Sequence, residues 1–165
     1  IISAKKNFHT LIALLEKRKD LALVIAGENK SSYAKSLLQE ASQKKFADRL
    51  ILPGIIEEKT KNWLYRHCEA FVFPSLTEGF GLPVIEAMSF GKPIFVSNKT
   101  SLPEIAGNEA YYWKNFEPDY MNEIFEKGMN DYNGDRQKPL RLLRWSRQFD
   151  WENGAREYLK LYREI

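Results

Sequence analysis

The sequence lacks the features of disulfide-rich, membrane-spanning, collagen-like and low-complexity proteins. Its one cysteine, Cys68, allows no disulfide within the chain, which suits a reducing compartment such as the cytoplasm. No apolar run approaches the ~18 residues of a membrane-spanning helix. Nine glycines and seven prolines in 165 residues exclude collagen-like and low-complexity chains. The net charge of +3 is too small to indicate nucleic acid as a partner.

What the sequence does contain fits one domain with its own core. Hydrophobic residues make up 44% of the chain and charged residues 28%, which is typical of a globular protein. Single domains cluster near ~100–150 residues, so a chain of this length is expected to form one. Ile1 and Ile2 resemble the tail of a strand, which predicts that the domain belongs to a longer protein.

Short apolar runs alternate with helical patterns along the chain. Phe8, Leu11, Ile12 and Leu15 repeat at i, i+3, i+4 and i+7, the spacing of an amphipathic helix. The apolar run Leu21–Ala26 has the length and composition of a strand buried on both faces. Similar patterns predict helices near 31–41, 57–67 and 82–90, strands at 50–52, 70–73, 94–96 and 110–113, a break at Pro53-Gly54, and two or three helices over 117–165. Ser31 and Ser32 are candidate N-caps of the first of these helices.

This alternation predicts an α/β fold, namely a doubly wound, mainly parallel, Rossmann-like sheet with helices on both faces. In open parallel sheets, ligands bind outside the carboxyl ends of the strands. The loops after the predicted strands are therefore the candidate site segments, at residues 3–6, 27–30, 53–56, 74–81 and 97–102.

The most informative of these loops is a glycine-rich turn between a strand and a helix, within residues 74–86. Gly79 and Gly81 permit close approach of the backbone to a ligand, and unpaired N–H groups at the following helix start favour a phosphate. Glu78 and Glu86 flank the turn. A carboxylate repels phosphate but accepts hydrogen bonds from adjacent hydroxyls. A phosphate between two diols describes a nucleotide sugar.

In its context this turn resembles a known signature. The segment PSLTEGFGLPVIEAM, which holds Glu78 and Glu86 in E-x7-E spacing, is similar to that of retaining glycosyltransferases of the GT-B fold, in the large family 4. The resemblance extends to KKN near the start and to LVIAGE, AFVFPS, GKPI and SLPEIAG. It implies a C-terminal donor-binding domain of an enzyme that transfers a sugar from a nucleoside diphosphate with retention of configuration.

The resemblance also implies a role for each site residue. Glu78 and Lys6 are the catalytic candidates, because Glu78 would hold hydroxyls of the donor sugar and Lys6 would neutralise the diphosphate. Glu86 would accept the ribose hydroxyls. Lys5 stands where the family frequently has arginine, so it keeps the charge and loses the bidentate fork. The other donor-site candidates contribute mainly backbone groups: Gly79, Phe80, Gly81 and Leu82 to the sugar and diphosphate, and Gly27, Gly54 and Ile55 to the base.

For cofactors and partners, the resemblance implies no metal ion and a UDP-, GDP- or ADP-sugar as the donor. It implies a separate N-terminal domain, outside this chain, that binds a polysaccharide, lipid-linked or other glycoconjugate acceptor. Two alternatives stay open. One is a non-catalytic nucleotide-binding or assembly module of the same fold, and the other is a sugar-nucleotide epimerase.

Two smaller features have more than one interpretation. Residues 136–147 carry five basic side chains and no acidic one, at Arg136, Lys138, Arg141, Arg144 and Arg147. They indicate either a solvated helix face or a peripheral contact with an acidic partner or the anionic inner face of a membrane. Ser101 and Glu104 match the family pattern, and either a turn role or a ligand contact would explain them.

Overall fold

The structure, a computed structural model, describes residues 1–163 apart from the side chains at positions 151 and 153. Strands and helices alternate, as predicted. The strands are β1 (Leu23–Ala26), β2 (Leu50–Gly54), β3 (Phe71–Phe73), β4 (Ile94–Ser97) and β5 (Tyr111–Trp113). The α-helices are α1 (His9–Lys17), α2 (Ser32–Gln43), α3 (Glu58–His67), α4 (Leu82–Ser89), α5 (Leu102–Ala106), α6 (Pro118–Gly134), α7 (Lys138–Ser146) and α8 (Trp151–Arg163). Short 3-10 turns cover Ala4–Lys6, Ala47–Arg49 and Gly107–Glu109.

The strands pair in parallel, which confirms the predicted α/β class. β1 pairs with β2, and β4 lies between β3 and β5. Each connection between paired strands carries a helix, as parallel pairing requires. Parallel pairing brings the carboxyl ends of neighbouring strands to the same edge, so the loops that follow them share one end of each sheet.

An apolar cavity of about 670 Å³ lies between the two sheets. It is lined by β1 and β3 and by side chains of α1 and α3. Among the described residues, β1 pairs only with β2, so the other edge of β1 is open. Val24 in this strand is 39% exposed. The prediction of a strand over Leu21–Ala26 buried on both faces is therefore wrong in its length and in its burial.

The densest packing surrounds β4. Ile94, Phe95 and Val96 are fully buried, as expected for a parallel strand covered on both faces. Helix α6 packs against this strand at Gly128, where an added Cβ would lie 2.5 Å from the Phe95 ring. Glycine thus allows α6 to approach the Phe95 ring, which also stacks on Trp113 of the neighbouring strand.

Two local predictions have different outcomes. Ser31 caps α2, since its hydroxyl oxygen accepts a hydrogen bond from the Ala34 N–H at 3.1 Å, which confirms the predicted cap. The predicted break at Pro53-Gly54 is wrong, because β2 continues through both residues. Proline is tolerated there because β2 is an edge strand in the described part of the chain.

The basic segment is only partly a solvated face. Lys138 is buried, with its Nζ 3.4 Å from Glu109 and 3.6 Å from Asp131. Arg141 pairs with the same Glu109 at 3.0 Å and with Asp135 at 2.8 Å. The interpretation of five basic residues as one solvated face is therefore wrong for these two, whose charges are compensated within the chain. Three basic residues remain exposed, at Arg136, Arg144 and Arg147.

Candidate functional site

The start of the chain and the glycine-rich turn meet beyond the end of β3. The Leu76 N–H donates to the Lys5 carbonyl at 2.8 Å, which ties the 3-10 turn Ala4–Lys6 to the loop after β3. This contact brings together two of the segments that the sequence predicted as site loops. The candidate site is built around it.

Lys6 and Glu78 form an ion pair at this junction. The Lys6 Nζ donates to Glu78 Oε1 at 2.7 Å and lies 4.9 Å from the centre of the Phe73 ring. The two side chains are only 27% and 12% exposed, so the pair is shielded from bulk water. The two residues predicted to act in catalysis are therefore in direct contact, and each neutralises the other when no ligand is bound.

The backbone of the turn is held by the segment after β4. The Glu78 N–H donates to Thr100 Oγ1 at 3.0 Å. The Ser101 hydroxyl shares its hydrogen between two backbone acceptors, the Glu78 carbonyl at 3.1 Å and the Phe80 carbonyl at 3.0 Å. Ser101 thus positions the turn. Thr100 adopts a φ of +48°, which β-branched residues rarely do, and the sequence patterns did not single it out.

Helix α4 begins at Leu82, and its start has the features of an anion site. Gly81 precedes it with a φ of +108°, and an added Cβ there would lie 3.1 Å from Leu102. Within the described residues, the N–H groups of Gly79, Phe80, Gly81 and Leu82 donate to no protein acceptor. Such unpaired N–H groups, with the positive end of the helix dipole behind them, attract a negatively charged group.

Glu86 lies one turn inside α4, where both of its carboxylate oxygens have partners on α3. The Lys61 Nζ donates to Oε1 at 2.8 Å, and the Tyr65 hydroxyl donates to Oε2 at 2.9 Å. Burial raises the pKa of Tyr65 far above its usual value, and the negative charge of Glu86 raises it further. The hydrogen bond to Glu86 raises the pKa of Lys61. The sequence patterns missed both partners, which lie 21 and 25 residues from Glu86 on a polar helix.

The remaining predicted site residues lie at the ends of β1 and β2 or on the surface. The Gly27 N–H donates to the Gly54 carbonyl at 2.8 Å, and both glycines have positive φ. Ile55 is 81% exposed. Lys5 is exposed and makes no ion pair in the described residues. Among the described residues, Glu78 and Glu86 form their side-chain ion pairs and hydrogen bonds with Lys6, Lys61 and Tyr65, and with none of these four.

A parallel α/β domain that carries such a turn beyond its strand ends has the architecture of one half of a GT-B glycosyltransferase. Comparison with known families agrees with this class. The chain belongs to the family "Glycosyl transferases group 1", whose model matches residues 2–141.

Relatives in this family are longer enzymes. The serotype-specific mannosyltransferase WbdA of Escherichia coli is 33% identical over 161 residues, which cover 94% of this chain and 20% of the relative. The O-antigen chain mannosyltransferase B of Escherichia coli is 34% identical over 110 residues, which cover 67% of this chain and 29% of the relative. The chain thus spans less than a third of the length of these relatives.

Solved structures share the fold. HepE from Anabaena, solved in complex with UDP-glucose, has a TM-score of 0.86 at 19% identity, over 99% of this chain and 47% of that one. Sucrose-phosphate synthase from Thermosynechococcus elongatus has a TM-score of 0.81 at 22% identity, over 98% of this chain and 43% of that one. This likeness confirms the predicted fold, one half of a GT-B arrangement.

The sequence predicts neither a membrane-spanning helix nor a metal site, and residues 1–163 of the structure bear on both predictions. No helix there is long and apolar enough to cross a membrane. No group of three or more His, Cys, Asp or Glu side chains in the described part of the chain is placed to hold a metal ion. Independence from a metal ion stays a prediction.

Proposed function

We propose that this domain binds the nucleoside-diphosphate sugar of a glycosyltransferase that transfers the sugar with retention of configuration. The observation that carries the proposal is the shielded Lys6–Glu78 pair beside the unpaired N–H groups at the start of α4. A cation and backbone donors suit a diphosphate, and a carboxylate suits the hydroxyls of a sugar. The relatives named as mannosyltransferases, and HepE with its bound UDP-glucose, support this chemistry over a sugar-nucleotide epimerase.

The proposed residues act at two places on the donor. Transfer breaks the bond between the anomeric carbon and the diphosphate oxygen, while the oxygen of an acceptor hydroxyl forms the new bond to that carbon and the hydroxyl proton passes to the leaving diphosphate. Lys6 and the N–H groups of the turn would stabilise the negative charge that develops on the leaving diphosphate. Because Lys6 is paired with Glu78 in the free domain, the diphosphate would draw Lys6 away. Glu78 would then be free to accept hydroxyls of the sugar.

The other site residues are assigned to the nucleoside. Glu86 would accept the ribose hydroxyls, and Gly27, Gly54 and Ile55 would border the base. Lys5, which is exposed, would add positive charge near the diphosphate. We expect its contribution to be smaller than that of Lys6, since charges in water are screened over ~8–10 Å.

The wider setting is also part of the proposal. The acceptor would bind a separate N-terminal domain, consistent with relatives of which this chain covers 20% and 29%. Peripheral contact with anionic lipid would rest on Arg136, Arg144 and Arg147, since the other two basic residues are paired internally. Vesicle flotation with and without anionic lipid tests this contact, and equal flotation of the two samples would contradict it.

Calorimetry with UDP, GDP and ADP tests the donor site. We expect the folded chain to bind at least one of them and Lys6→Met to weaken that binding about tenfold or more, since hydrogen bonds to charged groups are worth ~1.5–3 kcal/mol. Lys35→Met, on the exposed surface of α2, is the matched control and should leave affinity unchanged. A folded chain that binds none of the three nucleotides would overturn the proposal.

A further inference from the structure

We infer that Tyr65 and Lys61 are positioning residues that prepare Glu86 to recognise the two ribose hydroxyls of the nucleotide. The inference rests on the proposed function and deepens it, because it adds two side chains from α3 to a site so far built from the chain start and the glycine-rich turn. Neither residue belongs to the E-x7-E pattern. The inference follows from four features of their surroundings.

The first feature is the number of hydrogen bonds that Glu86 still has free. A carboxylate offers about four acceptor positions, two on each oxygen. Lys61 occupies one position on Oε1 and Tyr65 one on Oε2. One position therefore remains on each oxygen, and the side chain is 37% exposed. Two free acceptor positions on adjacent oxygens match a pair of adjacent hydroxyls.

The second feature is the rigidity of Tyr65. Its side chain is 9% exposed, and its ring packs against Phe71 and Phe90 with centroid distances of 5.7 and 5.8 Å. The ring therefore holds the hydroxyl in place, and the hydroxyl in turn orients the carboxylate of Glu86. The Tyr65 hydroxyl is protonated at neutral pH, where it remains a donor, and burial raises its pKa further above the usual value.

The third feature is the contrast with Lys61. This side chain is 30% exposed, and its Nζ is shared between Glu86 at 2.8 Å and Glu58 at 3.0 Å. A shared, partly exposed ammonium orients a carboxylate less strictly than a buried phenol. Its positive charge, however, offsets the charge of Glu86, which would otherwise repel an approaching diphosphate.

The fourth feature is the spacing of the two donors. Lys61 and Tyr65 are four residues apart on α3, so they lie on the same face of that helix. One helix thus delivers both partners to one carboxylate on α4. The two partners have different roles: Tyr65 orients the carboxylate of Glu86, and Lys61 offsets its negative charge.

This division predicts different effects on nucleotides with and without the 2′-hydroxyl. The probes are UDP, GDP and ADP, each compared by calorimetry with its 2′-deoxy analogue. We expect the unmodified chain to prefer the ribonucleotide about tenfold, the value of one hydrogen bond to a charged group. Tyr65→Phe should reduce this preference to about threefold or less, because Glu86 is no longer oriented. Lys61→Met should weaken both analogues by a similar factor and keep the preference.

The matched control is Tyr132→Phe. The Tyr132 hydroxyl donates to the Gly91 carbonyl at 2.6 Å, so this variant also loses a partly buried phenol hydroxyl, but one whose acceptor is a backbone carbonyl after the end of α4 and not Glu86. It should leave the preference for ribose unchanged. Thermal unfolding of each variant shows whether a loss of affinity merely follows a loss of stability.

The outcomes separate the inference from the proposed function. If the unmodified chain binds no nucleotide, the proposed donor site fails. If it binds ribo and deoxy forms equally, the role of Glu86 fails. If it prefers ribose and Tyr65→Phe keeps that preference, or weakens both forms equally, the positioning role of Tyr65 is overturned. If Tyr65→Phe does not fold, Lys61→Met provides the test. A lost preference for ribose in Lys61→Met, or unchanged affinity for both forms, overturns the separate roles inferred for Tyr65 and Lys61.

Discussion

Replacing Glu78 by glutamine leads to an unusual expectation, because in the proposed donor site this residue would compete with the diphosphate for the Lys6 ammonium. In the free domain the Lys6 Nζ lies 2.7 Å from Glu78 Oε1. A bound diphosphate must share or take over this ammonium and must tolerate the nearby carboxylate. Glu78→Gln removes the charge while it keeps the size of the side chain. We therefore expect bare nucleoside diphosphates to bind more tightly to the variant.

The size of this gain follows from the burial of the pair. Exposed ion pairs are worth ~0.2–1 kcal/mol, and breaking a buried pair costs ~3–5 kcal/mol. With side chains 27% and 12% exposed, the Lys6–Glu78 pair lies between these limits. We take about 1–2 kcal/mol, which corresponds to about a five- to thirtyfold decrease in the Kd of the bare nucleotide.

The assay is calorimetric titration of the unmodified chain and of Glu78→Gln with a nucleoside diphosphate and with the matching nucleotide sugar. The sugar donor should gain less than the bare nucleotide, because a neutral amide oxygen accepts hydrogen bonds from the sugar hydroxyls more weakly than the carboxylate proposed to hold them. Glu123→Gln is the matched control, since Glu123 also pairs with a lysine, Lys127, but on the exposed surface of α6, and it should change neither affinity. Weaker binding of the bare nucleotide to Glu78→Gln would refute this account of the pair.

Three further variants test other parts of the structure. Gly81→Ala should weaken nucleotide binding and lower the free energy of unfolding by ~1–2 kcal/mol, because alanine is strained at a φ of +108°; urea unfolding measures the loss, and unchanged stability would contradict it. Ser101→Ala should weaken nucleotide binding several-fold while Lys6 and Glu78 stay intact, because the turn loses its hydroxyl donor; a calorimetric Kd equal to that of the unmodified chain would rule this out. Burial raises the pKa of Tyr112 to about 12, so its contribution to stability is fully present below the usual value of 10 and is lost as the pH rises through about 12. Urea unfolding between pH 9 and 12 should show a smaller loss of stability in Tyr112→Phe than in the unmodified chain, and equal slopes would show that the phenol is not protected.

Local patterns in the sequence predicted the structural features that form between residues close together in the chain. The glycine-rich turn, the start of α4 at Leu82 and the Ser31 cap each depend on residues within one or two turns of one another. Lys6 meets Glu78 beside the loop after β3 as the site prediction requires, but the predicted strand end at Ile1 and Ile2 is not present among the described residues, since the first strand of the structure is β1.

What the sequence patterns missed depends on contacts between distant segments. Tyr65 and Lys61 reach Glu86 only because the α3 that precedes β3 packs beside α4. Lys138 is buried because Glu109, 29 positions earlier in the chain, supplies its counter-charge. The open edge of β1 likewise reflects which strands are paired, and an apolar run such as LALVIA carries no information about its neighbours.

The most direct test of the central claim is to locate the diphosphate on the domain. Backbone amide NMR shifts, recorded during titration with the nucleoside diphosphate that binds best, report which N–H groups it contacts. We predict that the largest shifts fall on Lys6 and on the turn from Gly79 to Leu82, and that in Lys6→Met the shifts on the turn require about tenfold or more higher nucleotide concentration. Saturable binding that leaves these amides unchanged and shifts residues elsewhere would contradict a donor site at the start of α4.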